Sequence, residues 1–115
     1  MGKIFTIKQN GQFSRAFCKG INIVGKNIVV YALKCKNAKE SKIGITVNKK
    51  LGDAVQRNRV KRLIKEAYRT LLQTEPKIVD EKYIFVFVAR ARCFNKKVKM
   101  QHIRRDIKNA LEKLN

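Results

Sequence analysis

The residues with the most chemical potential lie between positions 57 and 69, where six arginines and lysines meet a single acid, Glu66. Arg57, Arg59, Lys61, Arg62, Lys65 and Arg69 alternate with Val60, Leu63, Ile64 and Ala67. At about 100° per residue a helix would gather the apolar side chains into one stripe and leave Lys61, Arg62, Lys65, Arg69 and Asn58 on the opposite half. A row of cations anchored in this way binds phosphates at little ordering cost, and guanidinium forks match phosphate oxygens bidentately. Asn58 can both donate and accept, so it can read a base edge or a 2′-hydroxyl. An ordinary solvated helix face would interleave acids to form i, i+4 pairs; this one does not.

No catalytic constellation accompanies the basic run. His102 is the sole histidine, and it sits on a basic segment beside Ile103. Ser14 and Ser41 have no recognisable base partner, and eight acids are too few to suggest a two-metal phosphodiesterase. Cys18, Cys35 and Cys93 are widely separated and odd in number. They point to neither a disulfide framework nor a zinc site, and read as small core residues of a protein in a reducing compartment.

Several elements must position the basic run. Phe13, Ala16 and Phe17 share one helical face, and Gly20 is a natural stop. Residues 21–24 and 27–35 read as paired strands around Gly25-Lys26-Asn27, the second rich in β-branched residues. Residues 42–48 alternate, with Ile43, Ile45 and Val47 on one face. Asp53 is an N-cap with Gln56 three residues on, and Val60, Leu63, Ile64, Ala67 and Leu71 form the following amphipathic stripe. Residues 83–89 form another strand whose Phe85 and Phe87 belong to the core. A last helix spans about residues 96–114, marked by Met100, Ile103, Ile107, Ala110, Leu111 and Leu114. The order α-β-β-β-α-β-α within 115 residues predicts one α+β domain, residues 1–115, built as a two-layer α-β sandwich.

Charge narrows the function. Lys and Arg number 28 against 8 acids, a net charge of +20. Solubility asks for only about 2–8 charges in a small domain, so a polyanionic partner is indicated. A membrane surface is disfavoured because the core needs the apolar helix faces, and no segment reaches the length of a span. Residues 1–12 contain no apolar stretch of the secretory type. A DNA-groove helix would need a turn-and-helix pair before it, and strands flank it instead. A structural RNA-binding protein, such as a ribosomal one, remains the competing reading.

Residues 42–69, KIGITVNKKLGDAVQRNRVKRLIKEAYR, resemble the signature of the bacterial ribonuclease P protein family: a strand ending in basic residues, a Gly-x-Ala-Val turn, then Arg-Asn-Arg and basic–apolar alternation. The Phe13-x-x-x-Phe17 helix, the strand carrying Tyr31 and the strand ending at Arg90 occur in the family's order, so nearly the whole chain is covered. The resemblance implies a four-stranded sheet with a left-handed β-α-β crossover, a ribosomal-protein-like fold. It also implies a subunit of an endoribonuclease whose active site is on RNA, with no catalytic residue in the protein. The implied partners are the catalytic RNA and the 5′ leader of precursor tRNA, with neither DNA nor membrane, in the cytoplasm. Phe13, Phe17, Val29, Tyr31, Arg57, Asn58 and Lys61 match the leader-binding positions. Arg59, Arg62, Lys65 and Arg69 match positions expected to meet the catalytic RNA. No metal or other cofactor is expected on the protein, and the holoenzyme's Mg²⁺ is expected to be held mainly by RNA. Asp53 stands where the family often has asparagine; the two cap a helix almost equally, but a carboxylate cannot donate an amide hydrogen bond.

Overall fold

The computed structural model describes residues 5–6, 10–35, 41–75 and 82–114. Helix α1 spans Asn10–Lys19, strands β2 and β3 span Ile21–Val24 and Ile28–Lys34, and β4 spans Lys42–Thr46. Helix α2 spans Ala54–Thr74, β5 spans Tyr83–Ala89 and α3 spans Met100–Glu112. These follow the expected order. A two-residue strand, β1 at Phe5–Thr6, pairs parallel with β4 and extends the four main strands to a sheet ordered β1-β4-β5-β3-β2. Two residues carry no readable alternation, so this edge pairing left no trace in the sequence pattern.

The sheet is apolar on both faces where β3 and β5 run through it. Ile28, Val30, Ala32, Phe85, Phe87 and Ala89 join Ile43 against α2 and α3 in the main core. Ile84 and Val86 face the other way and bury against Ala16 of α1, with Tyr31, Leu33 and Val88 half-buried beside them. The expected sandwich is therefore the sheet with α2 and α3, and α1 adds a partial layer on the opposite face. Two-sided burial explains why β5 reads as a nearly continuous apolar run rather than an alternating one.

Helix α2 begins as its capping sequence foretells. The Gln56 N–H donates to the Asp53 carboxylate at 2.8 Å, and the Asp53 N–H donates to the Gln56 side-chain oxygen at 3.0 Å. Its stripe of Val60, Ile64, Ala67, Tyr68 and Leu71 is buried, each large side chain contributing about 1.5–3 kcal/mol of transfer free energy. Tyr68 packs its ring 6.1 Å from Phe85 and 5.5 Å from Phe87, which assigns both phenylalanines to the core. Helix α3 starts at Met100 rather than near residue 96. The Asn95 side chain captures the Lys97 N–H at 2.9 Å in a turn, and the Lys99 N–H donates to His102 Nδ1 at 2.9 Å. His102 is thus a half-buried helix cap, with Nε2 left as the ring's donor.

The cysteines divide. Cys93 is buried, its thiol donating to the Asn27 carbonyl at 2.9 Å, Cys35 is half-buried, and Cys18 is exposed, contrary to a core role for all three. Burial pushes the Cys93 thiol up to about 11 and the Tyr68 hydroxyl up to about 12.

Two outcomes follow from this packing. A Cβ on Gly20 would lie 2.4 Å from the Ala16 carbonyl oxygen and 2.9 Å from that of Ala32, both backbone. Gly20→Ala is expected to cost about 1–3 kcal/mol in urea unfolding; an unchanged midpoint would show that α1 can lift off β3 freely. Cys93 and Tyr68 are harder to ionise folded than unfolded, so the folded state holds their protons longer. Their stability contribution is complete below the unfolded value of 9.0 for the thiol and is lost as pH rises through about 11 and 12. Unfolding midpoints measured against pH are expected to fall across that alkaline window and stay level just below it.

Candidate nucleic-acid interface

Register places four side chains in a row across the α1 face of the sheet. Val24 pairs with Val29, Val29 with Val88, and Val88 with Thr46. The next row, Asn22, Tyr31, Val86 and Gly44, runs beside it. Helix α1 covers Val86 and Ile84 but leaves the first row open: Val24 is 64 % exposed, and Val29, Val88 and Thr46 are half-buried. With strands about 4.8 Å apart, the row makes an apolar floor of about 14 Å, enough for a short single-stranded segment.

One wall of this cleft is aromatic. Phe17, on the last turns of α1, is 41 % exposed, and its ring meets Tyr31 edge-on at 4.9 Å and 81°. A large aromatic left exposed over an apolar floor offers a face on which an unstacked base can lie. Val29 lies in the floor, and Tyr31, two residues on, faces the same side of the sheet from the adjoining row. The backbone of Phe13 lies in α1, but its side chain is outside the described residues. Val24, Val88 and Thr46 are cleft residues that the sequence reading missed. Cross-strand register alone brings them to Val29, and no local spacing could have shown it.

Thr46, the β4 end of the row, leads through Lys49 and Lys50 into α2, whose first turns carry the Arg-Asn-Arg run. On α2, Thr70 and Thr74 mark the flank toward α3 through contacts with Met100 and Arg104. At about 100° per residue Arg59 falls toward that flank. Arg57 and Lys61 fall on the other flank, Lys65 and Asn58 lie between that flank and solvent, and Arg62 and Arg69 point outward. Asn58, Lys61, Arg62, Lys65 and Arg69 are exposed, while Arg57 and Arg59 are half-buried. The buried Nε of Arg57 has no hydrogen-bond partner among the described residues.

One expected phosphate ligand is compromised. Arg69 donates to Glu66 at 2.6 Å, with both side chains 44 % exposed. The i, i+3 spacing brings the lone acid of the run onto it, although an exposed pair of this kind is worth at most about 1 kcal/mol and remains open to exchange. Among the described residues, no carboxylate ion pair engages Lys61, Arg62 or Lys65. Also among the described residues, no three His, Cys, Asp or Glu side chains converge as metal ligands, and no helix is long and apolar enough to cross a membrane.

Comparison with known proteins gives this surface its context. The family profile for Ribonuclease P matches residues 1–115. The chain is 39% identical over 107 residues to the ribonuclease P protein component of Clostridioides difficile, covering 93% of this chain and 89% of that one. It is 37% identical over 95 residues to the component from Listeria innocua, covering 83% and 76%. The solved RNase P protein of Staphylococcus aureus superposes with a TM-score of 0.77 at 27% identity, covering 98% of this chain and 97% of that one. The Thermotoga maritima RNase P protein shares the fold at TM-score 0.77 and 21% identity, covering 96% and 97%. Matched end to end in sequence and in fold, the chain belongs to the ribonuclease P family as a protein component of that endoribonuclease holoenzyme.

Proposed function

We propose that the α1–sheet cleft holds the single-stranded 5′ leader of precursor tRNA while the outer face of α2 binds the catalytic RNA that cuts it. The observation that carries this reading is the exposed Phe17 ring, edge-on to half-buried Tyr31, beside an uncovered apolar row that leads toward α2 cations with no ion-pair partner among the described residues. Stacking on an aromatic face is indifferent to base identity, which suits a subunit that must accept many leaders. Arg57, Asn58 and Lys61 lie together toward one side of α2 and would guide the leader out of the cleft. Arg59 and Arg62, with Lys65 between the two groups and Arg69 once released from Glu66, would meet the catalytic RNA.

The chemistry belongs to the RNA and the Mg²⁺ it holds; the protein supplies positioning and charge. Two RNAs repel, and a net charge of +20 offsets that repulsion as bound cations would. The expected consequence is a lower Mg²⁺ requirement for docking precursor tRNA. A role in tRNA maturation places the protein in the cytoplasm.

Reconstitution with a bacterial ribonuclease P RNA at low Mg²⁺ tests the cleft. Phe17→Ala is expected to weaken binding of leader-bearing precursor by about 1–3 kcal/mol and to leave leaderless tRNA unchanged. Equal losses for both substrates would remove the leader from the cleft. For the α2 face, Arg62→Ala is expected to weaken holoenzyme assembly and to lower the salt slope of binding by about one, whereas Glu66→Gln, by freeing Arg69, raises the slope by up to about one. Opposite signs, or no change in either variant, would show that the catalytic RNA sits elsewhere.

A further inference from the structure

A second concentration of charge begins beyond the Val24 end of the cleft, around the β2–β3 turn, and lies apart from the α2 face. The β2–β3 turn, the segment after β5 and one flank of α3 enclose a groove of about 900 Å³. Besides Arg90, five cations line it: Lys26 from the turn, Arg92 and Lys97 from the segment before α3, and Arg105 and Lys113 from α3 and its C-terminus. All five are exposed, and among the described residues none has an ion-pair partner. The one acid in the lining, Asp106, is already engaged, accepting the Asn27 N–H at 2.7 Å.

The groove is held in shape. Asp106 grips the β2–β3 turn from α3, and Arg90 grips it from the end of β5, donating to the Gly25 carbonyl at 2.7 Å. Cys93 adds the bond to the Asn27 carbonyl beneath. The internal clamps employ Asp106 and Arg90, whose opposite charges offset each other, and leave the five other cations on a fixed frame. A frame of this kind costs little to organise around a polyanion.

Its lining also indicates what form the polyanion takes. Neither phenylalanine nor tyrosine lines the groove, and the single ring, His102, caps α3. Splayed bases would find nothing to stack on, in contrast to the cleft beneath Phe17. Arg105 and Lys113 stand eight residues apart, about 12 Å along the helix axis, which spans several phosphates rather than one. Because α2 packs on α3 through Met100 and Arg104, while Asp106 and Lys113 turn to the other flank and Arg105 points outward between the two, α3 separates this groove from the α2 cations.

We propose that this groove is a second RNA site, one that grips the phosphodiester backbone of a double-helical RNA segment independently of the leader cleft and the α2 face. It reads no sequence; its contacts are charge-assisted bonds to phosphate and sugar. With α2 on one flank of α3 and the groove on the other, the protein would bridge two helical segments of folded RNA.

The full chain and a fully paired RNA hairpin without a single-stranded tail provide the test, read as binding across a salt series. Lys97→Gln/Arg105→Gln/Lys113→Gln is expected to weaken hairpin binding roughly tenfold or more near physiological salt and to lower the salt slope by about 2–3. Binding of a single-stranded leader oligonucleotide is expected to stay close to that of the unmodified protein. Removing equal charge elsewhere, in Arg15→Gln/Lys19→Gln/Lys82→Gln, is expected to leave hairpin binding nearly intact. If the groove triple binds the hairpin normally, or if the control triple loses as much, the groove is not an RNA site. Where the groove triple melts early, Lys97→Gln and Arg105→Gln singly carry the same test, each lowering the slope by about one. Because the leader oligonucleotide is measured in parallel, failure of this site is distinguishable from failure of the leader reading.

Discussion

The packing of α2 on the inner face of β5 is the contact on which the rest depends. Val60, Ile64, Ala67, Tyr68 and Leu71 bury one side of α2, and Tyr68 closes against Phe85 and Phe87. That burial fixes the helix's rotation about its own axis, and the rotation alone decides where its arginines and lysines point. A helix free to roll would carry the same charges with no fixed row. The capping box at Asp53 and Gln56 fixes the first turn as well, so the Arg-Asn-Arg run emerges at a defined angle from the end of β4.

A chain with so large a positive charge can fold only if its few acids are well placed. Asp53 caps α2, Asp106 clamps the β2–β3 turn, Glu66 meets Arg69 and Glu75 meets Lys108 at 3.0 Å. Four of the acids in the described residues therefore serve local architecture, and only Glu66 touches a cation of the Arg57–Arg69 run. Among the described residues, the other cations of that run meet no carboxylate and stay available to phosphate. Self-repulsion in the free protein is the counterpart of this arrangement, and counterion release on meeting RNA reverses it.

The two faces of the sheet divide the work. The face toward α2 and α3 is sealed by large side chains and supplies most of the stability. The face toward α1 is sealed only under Ala16 and stays open along Val24, Val29, Val88 and Thr46. A ten-residue helix is too short to cover the whole face, and the uncovered remainder is the cleft. Gly20 sets how closely α1 lies, since its bare Cα lets the helix end approach the β3 backbone.

Much of this was legible in the residues. Periodicity located all three helices and the four main strands, the Asp53–Gln56 spacing marked the start of α2, and the scarcity of acids in residues 57–69 singled out α2 as the strongly basic helix. These features are local: each depends on neighbours within a few positions, where chain geometry alone sets which side chains share a face. Phe17, Val29 and Tyr31 came from a family resemblance, because a phenylalanine on a helix face looks the same whether it is buried or exposed. Only the tertiary structure decided that Phe17 stays exposed, that Val24, Val88 and Thr46 complete the cleft, that Glu66 reaches Arg69, and that Lys26, Arg92, Lys97, Arg105 and Lys113 surround one groove. Strand order and the seating of α3 join residues up to about eighty positions apart, and no local pattern records which distant segments will become neighbours.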